Sequence, residues 1–299
     1  MRLGPDHVET WKNAVVHLEG VADPTVYRRR RRAFEDRTAD PPDGPSADSE
    51  VRKQGTGLFI VSEGRRYLLT ARHVVTDEAT AIAAVRRLAK STEAGVRNWV
   101  FPYVYRVPTL DEAHEGRASS IDLVNVGSSA GSVSGHITYS DPVIDLAVFS
   151  LDHRARSPQR EFADELEAIG HRPIDAGAIA DGPTQESAEI FAIGYPDEIA
   201  SYWQGETHRS SRRGSDWASA PLFSFGHVAM VHARLEYFWA DISVYPGNSG
   251  GPVIEGNRVV GVVSGQALVE DVRVPFARII PGAEIKKLLQ RQQEKDARF

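Results

Sequence analysis

The chain has 299 residues, of which 41% are hydrophobic, 25% charged and 8% aromatic, and it contains no cysteine. This is globular composition at a length normally shared by two lobes, enough to bury roughly three quarters of the unfolded surface without help from a disulfide or metal. The missing cysteine excludes a disulfide framework, a thiolate zinc site and a thiol nucleophile, and 35 Lys+Arg against 41 Asp+Glu argues against nucleic acid as a partner.

The amino terminus, MRLGPDHVETWKNAVVHLEG, has acids and a proline where a signal peptide needs a basic start and an apolar stretch. No run of about 18 apolar residues occurs, so the expectation is a soluble, cytoplasmic protein that does not associate with membrane. Short apolar runs broken by glycine, proline and polar clusters predict an all-β protein. A first set of strands is expected at 14–18, 57–62, 67–70, 98–107, 121–126, 135–138 and 144–151. A second follows at 189–194, 221–231, 235–244, 252–254, 259–264 and 274–279, which suggests two β lobes. Helical pieces are expected at 82–89, at 160–169 within a connector, and at 284–291, where Ile285, Leu288 and Leu289 make one apolar face. Residues 21–54, with five arginines at 28–32 and PPDGPSADSE at 41–50, read as a long loop or partly ordered insertion.

The strongest chemical signal is YPGNSGGPVI, Tyr245 to Ile254, in which glycines flank a serine between two apolar runs. A serine that attacks a carbonyl while backbone N–H groups face the developing oxyanion needs a tight turn free of neighbouring Cβ atoms. On this reading Ser249 is the nucleophile, and the N–H groups of Gly247 and Ser249 form the oxyanion hole; an ordinary glycine-rich hairpin is the other reading of the string. The same string fits the G-x-S-x-G elbow of α/β-hydrolases, but there the histidine follows the serine, and the last histidine here is His232. His73, just after a strand ending in Thr-Ala, is the candidate base, although a lone histidine beside an apolar run also serves as a structural residue. Asp145 opens the apolar run 146–151 and must be buried or paired, because an isolated carboxylate there is costly. A histidine N–H is one such partner, and Asp141 is the better turn residue of the two.

Together, Thr70-Ala71-Arg72-His73, Asp145-Leu146-Ala147-Val148 and Gly247-Asn248-Ser249-Gly250-Gly251-Pro252, in the order His, Asp, Ser, resemble the trypsin-like, chymotrypsin-fold serine peptidases. Gly55-Thr56-Gly57, Gly194-Tyr195-Pro196, Gly261-Val262-Val263-Ser264 and the terminal helix extend the resemblance over most of Ala14 to Leu289. It implies two six-stranded antiparallel β-barrels with a C-terminal helix and loop insertions. Residues 1–151 would form the N-terminal lobe, carrying His73, Asp145 and the insertion 21–54; 152–187 would be a connector, and 188–299 the C-terminal lobe with Ser249. It also implies a hydrolase, a serine endopeptidase with a catalytic triad and an acyl-enzyme. By the mechanism that the resemblance implies, His73 would take the proton of Ser249 and pass it to the leaving amine while Asp145 fixes the imidazole.

Asn248 stands where digestive members of the family carry an aspartate that pairs with a newly cut N-terminus, and the start lacks their Ile/Val-Val/Ile-Gly-Gly, so activation by clipping is not expected. Both features are similar to the bacterial branch of high-temperature-requirement proteases, here expected as a stand-alone chain without a PDZ domain. By family position the primary specificity pocket has its base near Ser243 and its far wall at Ser264, Gly265 and Gln266. Without an acid at Ser243, a small, apolar or polar side chain is expected there rather than Lys or Arg. His227 and His232 are either strand histidines or readers of an acidic side chain. The arginine run reads as a solvated loop, as a docking site for an acidic partner or, most weakly, as a nucleic-acid contact. No metal or cofactor motif is present, so neither is expected. The expected partners are a protein or peptide substrate, cut in a limited or regulated way, and an activating or docking protein, with no nucleic acid. The alternatives are a catalytically silent binding module on a peptidase scaffold and an esterase using the same triad.

Overall fold

The computed structural model describes residues 4–22, 51–76, 101, 103–117, 122–125, 136–155, 157–197, 201–203, 217–270 and 272–298. The arginine run at 28–32, most of the insertion and the helix expected at 82–89 lie outside the described residues.

The chain opens on α1 (Pro5–Ala14), a helix the strand pattern had not suggested. Pro5 sits in its first turn, where a missing N–H removes no helical bond, and Trp11 and Ala14 are buried. The N-terminal lobe holds β1 (Val15–Ala22), β2 (Val51–Ser62), β3 (Arg65–Ala71), β4 (Tyr103–Arg106), β5 (Asp122–Asn125), β6 (Ile137–Tyr139) and β7 (Leu146–Ser150) in the order β5-β4-β1-β2-β3-β7-β6. β8 (Ile174–Asp175) adds to β2 in parallel. Short helices α2 (Arg72–Val75) and α3 (Leu110–His114) follow β3 and β4. The connector carries α4 (Pro158–Ala168), capped by Ser157.

In the C-terminal lobe β9 (Glu189–Gly194), β12 (Leu222–Met230), β13 (Phe238–Asp241), β14 (Pro252–Glu255), β15 (Arg258–Val269) and β16 (Val272–Pro281) close an antiparallel barrel in the order β12-β13-β16-β15-β14-β9. A small hairpin, β10 (Ser201–Trp203) and β11 (Trp217–Ser219), stands off it. Of the two barrels expected, this one is closed. In the N-terminal lobe the outer strands β5 and β6 are short, and no ladder joins them among the described residues.

The strands nearest the centre are buried on both faces, which is why they read as continuous apolar runs rather than alternations. Leu58, Ile60, Tyr67, Leu69 and Val148 pack toward a core shared with Phe191, Ile193, Ile254 and Val262 of the barrel. Phe59, Leu68 and Phe149 point into a second core inside the N-terminal lobe. The last helix, α5 (Gly282–Asp296), buries Ile285, Leu288, Leu289, Gln292 and Asp296 along one stripe. No helix among the described residues is long and apolar enough to cross a membrane.

Burial lowers the pKa of His17 to about 3 and those of His136 and His171 to about 4. In the unfolded chain these rings titrate near 6.5, so between roughly pH 6.5 and 4 the unfolded state binds more protons than the folded one. Their stabilising effect is complete above that window and is lost as pH falls through it. The urea midpoint is expected to fall steadily from pH 7 to 5, with a slope reporting uptake of up to about three protons on unfolding, and His136→Gln should flatten it. A slope the substitution leaves unchanged would refute the assignment.

Candidate active site

Strand register brings together residues that lie 72 positions apart in the chain. β3 and β7 pair antiparallel with Ala71 opposite Leu146, so the end of one strand meets the start of the other. The bond from Arg72 N–H to the Asp145 carbonyl, 2.9 Å, continues that ladder. α2 then turns His73 back over Asp145: the His73 N–H donates to Oδ1 at 3.0 Å, and Nδ1 lies 2.7 Å from Oδ2. The hydroxyl of Ser264 donates to the same Oδ2 at 2.8 Å. Three donors thus meet a carboxylate whose residue is only 7% exposed, which compensates the cost of burying its charge. Asp145 holds these contacts from a left-handed backbone, φ 56°, a region aspartate tolerates better than most residues. Asp141 is the turn residue, its Oδ1 accepting from the N–H groups of Val143 and Ile144.

The turn carrying Ser249 is locked from several sides. Gly247 and Gly250 have φ of 93° and 88°, and a Cβ on either would overlap a neighbouring carbonyl oxygen, of Tyr195 and of Thr56 respectively. The carbonyl of Pro246 accepts from the Asp197 N–H, and that of Asn248 from the Gly251 N–H, both at 2.9 Å. In a trans peptide the N–H points opposite its carbonyl, so the N–H groups of Gly247 and Ser249 are turned away from these anchors. Neither donates to any acceptor among the described residues, whereas the N–H groups of Asn248, Gly250 and Gly251 all do. Two oriented, unspent donors flanking a serine are the arrangement that stabilises a developing oxyanion.

A buried threonine of the other lobe fixes this turn. Thr56 donates its N–H to the Ser249 carbonyl and its hydroxyl to the Gly247 carbonyl, each at 2.8 Å. The hydroxyl oxygen also accepts from the Tyr195 N–H at 3.1 Å, and the Thr56 carbonyl accepts from the hydroxyl of Thr70 at 2.8 Å. Sequence reasoning noted Gly55-Thr56-Gly57 but gave Thr56 no task. The available signal was a hydroxyl between two glycines on a strand, which marks close approach of another backbone.

His73 and Ser249 line one cleft of about 570 Å³, which also reaches Gln54, Gly265, Gln266 and Leu268. Of the residues expected to bind substrate, Gly265 and Gln266 lie on its wall. Ser264 does too, but its hydroxyl is committed to Asp145 rather than to a ligand. Ser243 is exposed, between the buried Ile242 and Val244, and is not among the residues that line this cleft. His227 and His232 do not line it either. Among the described residues no group of three or more His, Asp or Glu is placed to hold a metal.

Residues 55–262 match the family model of the trypsin-like peptidase domain. The chain therefore belongs to the trypsin-like peptidase family. No curated protein matches it.

Thr56→Val keeps the shape of the side chain and removes the hydroxyl, leaving the Gly247 carbonyl and the Tyr195 N–H short of a partner in a buried place. The expected loss is about 1–3 kcal/mol of unfolding free energy in urea, with Thr56→Ser recovering most of it. A Thr56→Val chain as stable as wild type would show that the clamp carries no weight.

Proposed function

We propose that the chain is a serine endopeptidase that cuts extended segments of protein substrates through an acyl-enzyme on Ser249. The observation that carries this reading is the 2.7 Å His73–Asp145 contact at the edge of the cleft that also holds Ser249 and the two unspent N–H groups. In this mechanism His73 Nε2 removes the hydroxyl proton as Ser249 attacks the carbonyl carbon, and Asp145 holds the ring through Nδ1 and stabilises the imidazolium. The N–H groups of Gly247 and Ser249 take the charge that develops on the carbonyl oxygen. Collapse of the adduct breaks the C–N bond as His73 returns the proton to the amine, and water then repeats the cycle on the ester. The cleft, of about 570 Å³, has the size for a few residues of extended chain, and limited cleavage of such segments is part of this proposal.

The test is intact-mass detection of a fluorophosphonate adduct on the purified chain. Wild type is expected to gain one adduct, and Ser249→Ala and His73→Ala none. Absence of labelling in wild type would overturn the reading and turn attention to a binding role for the scaffold. Ser249→Ala should lower kcat by about 10⁴–10⁶, and Asp145→Asn, which keeps the left-handed backbone, by about 10⁴. An Asp145→Asn enzyme within tenfold of wild type would remove Asp145 from the mechanism.

A further inference from the structure

An arginine is seldom buried unless its position demands it, and Arg72, the residue before His73, is only 5% exposed. It stands inside the histidine motif, yet the mechanism above asks nothing of it. From the first position of α2 its side chain reaches the end of β6. There Nη1 donates to the Ser140 carbonyl, and the guanidinium carbon lies 5.7 Å over the centre of the Tyr139 ring. Ser140 in turn closes the loop that joins β6 to β7: its N–H donates to the Leu146 carbonyl at 2.9 Å, and its hydroxyl oxygen accepts from the Leu146 N–H at 2.7 Å. Asp145 lies inside that loop, one residue before β7, and its carbonyl accepts from the Arg72 N–H. Arg72 therefore holds both legs of the loop, the leg leaving β6 with its side chain and the leg entering β7 with its backbone. The aspartate between them stands at φ 56°, a conformation that a loose turn would give up for the commoner negative φ. Fixing both legs keeps the two carboxylate oxygens at hydrogen-bond distance from the N–H and Nδ1 of His73.

We propose that Arg72 is a positioning residue: its guanidinium holds the Asp145 loop against the helix that bears His73, so that Asp145 fixes the His73 ring for the attack by Ser249. The inference rests on the peptidase reading above. Arg72 is not among the residues that line the cleft, so it acts through Asp145 and meets neither the substrate nor the reacting atoms. Its weight should therefore appear in kcat and not in KM, and should vanish once the Asp145 carboxylate is gone. A residue that only packs the lobe would move the unfolding midpoint and leave the ring of His73 as it is.

The test compares Arg72→Met and Arg72→Lys with wild type, alone and on the Asp145→Asn background, with thermal unfolding to verify the fold. Arg72→Met keeps an unbranched chain and loses the donors; it should lower kcat about tenfold to hundredfold and leave KM within about twofold. Arg72→Lys keeps a cation but offers a point donor in place of a fork, and should lose about threefold to tenfold. On Asp145→Asn neither substitution should cost more than about twofold further. Nitrogen NMR of the histidine-labelled chain, with His73 assigned by His73→Gln, reads the ring without turnover. At a pH where the ring is neutral, wild type should carry its proton on Nδ1, and Arg72→Met should show a mixture of the two tautomers. A folded Arg72→Met whose kcat or whose tautomer matches wild type overturns the proposal, and so does a loss of equal size on the Asp145→Asn background. Where Arg72→Met does not fold, Arg72→Lys with wild-type kcat and an unmixed ring overturns it. A wild type that turns over no substrate would count against the peptidase reading, and the tautomer would still decide whether Arg72 holds Asp145 to His73.

Discussion

The turn that carries Ser249 is held in place by the lobe that does not contain it. Thr56, fully buried on β2, uses its N–H, hydroxyl and carbonyl to join the Ser249 turn, the end of β9 and the end of β3. Loss of one of these partners inside the packed interface would leave a buried polar group unsatisfied, a cost larger than the modest net gain of forming the bond from water. The shared apolar core around Leu58, Phe191 and Val262 brings the lobes together without direction. Thr56 supplies the direction and so sets the distance between the serine on one lobe and the histidine on the other. Its flanking glycines follow from this: a Cβ on Gly55 would press into Val74 and the Ser249 carbonyl, and one on Gly57 into Leu18 and Leu68.

A second constraint is the burial of carboxylates. Asp145 is held by donors from α2 and β15, so its contact with His73 depends on both lobes. Behind it, Asp296 on α5 accepts from the hydroxyl of Ser150 and from Gln292 at 2.7 Å, and from the Tyr67 hydroxyl at 3.2 Å. The helix that ends the C-terminal lobe is thereby fastened to β7, the strand that Asp145 leads into. Removing one partner from such a site leaves an uncompensated charge, so these contacts fix geometry more than they add net stability.

In the proposed mechanism the reacting groups are the side chains of Ser249, His73 and Asp145 and the N–H groups of Gly247 and Ser249. The reacting groups sit on turns clamped from both sides, which suits positioning at hydrogen-bond accuracy.

The sequence by itself determined the order of the β lobes, because strands buried on two faces appear as apolar runs whatever they pack against, and Glu189–Gly194 is found where the run placed it. It also determined the candidate residues His73, Asp145 and Ser249, since a glycine-framed serine and an aspartate at the head of an apolar strand are local anomalies that need a reason. The helix α1 was missed because its stabilisation comes from packing, with Trp11 against Phe191, and not from a strong helical pattern. It took the packed fold to show that the Ser264 hydroxyl bonds Asp145, that Ser243 is exposed between two buried neighbours and that Thr56 bonds the Ser249 turn. Each of these depends on strand register and on which neighbour lies across a gap of many residues, and pattern along one chain does not encode direction across it.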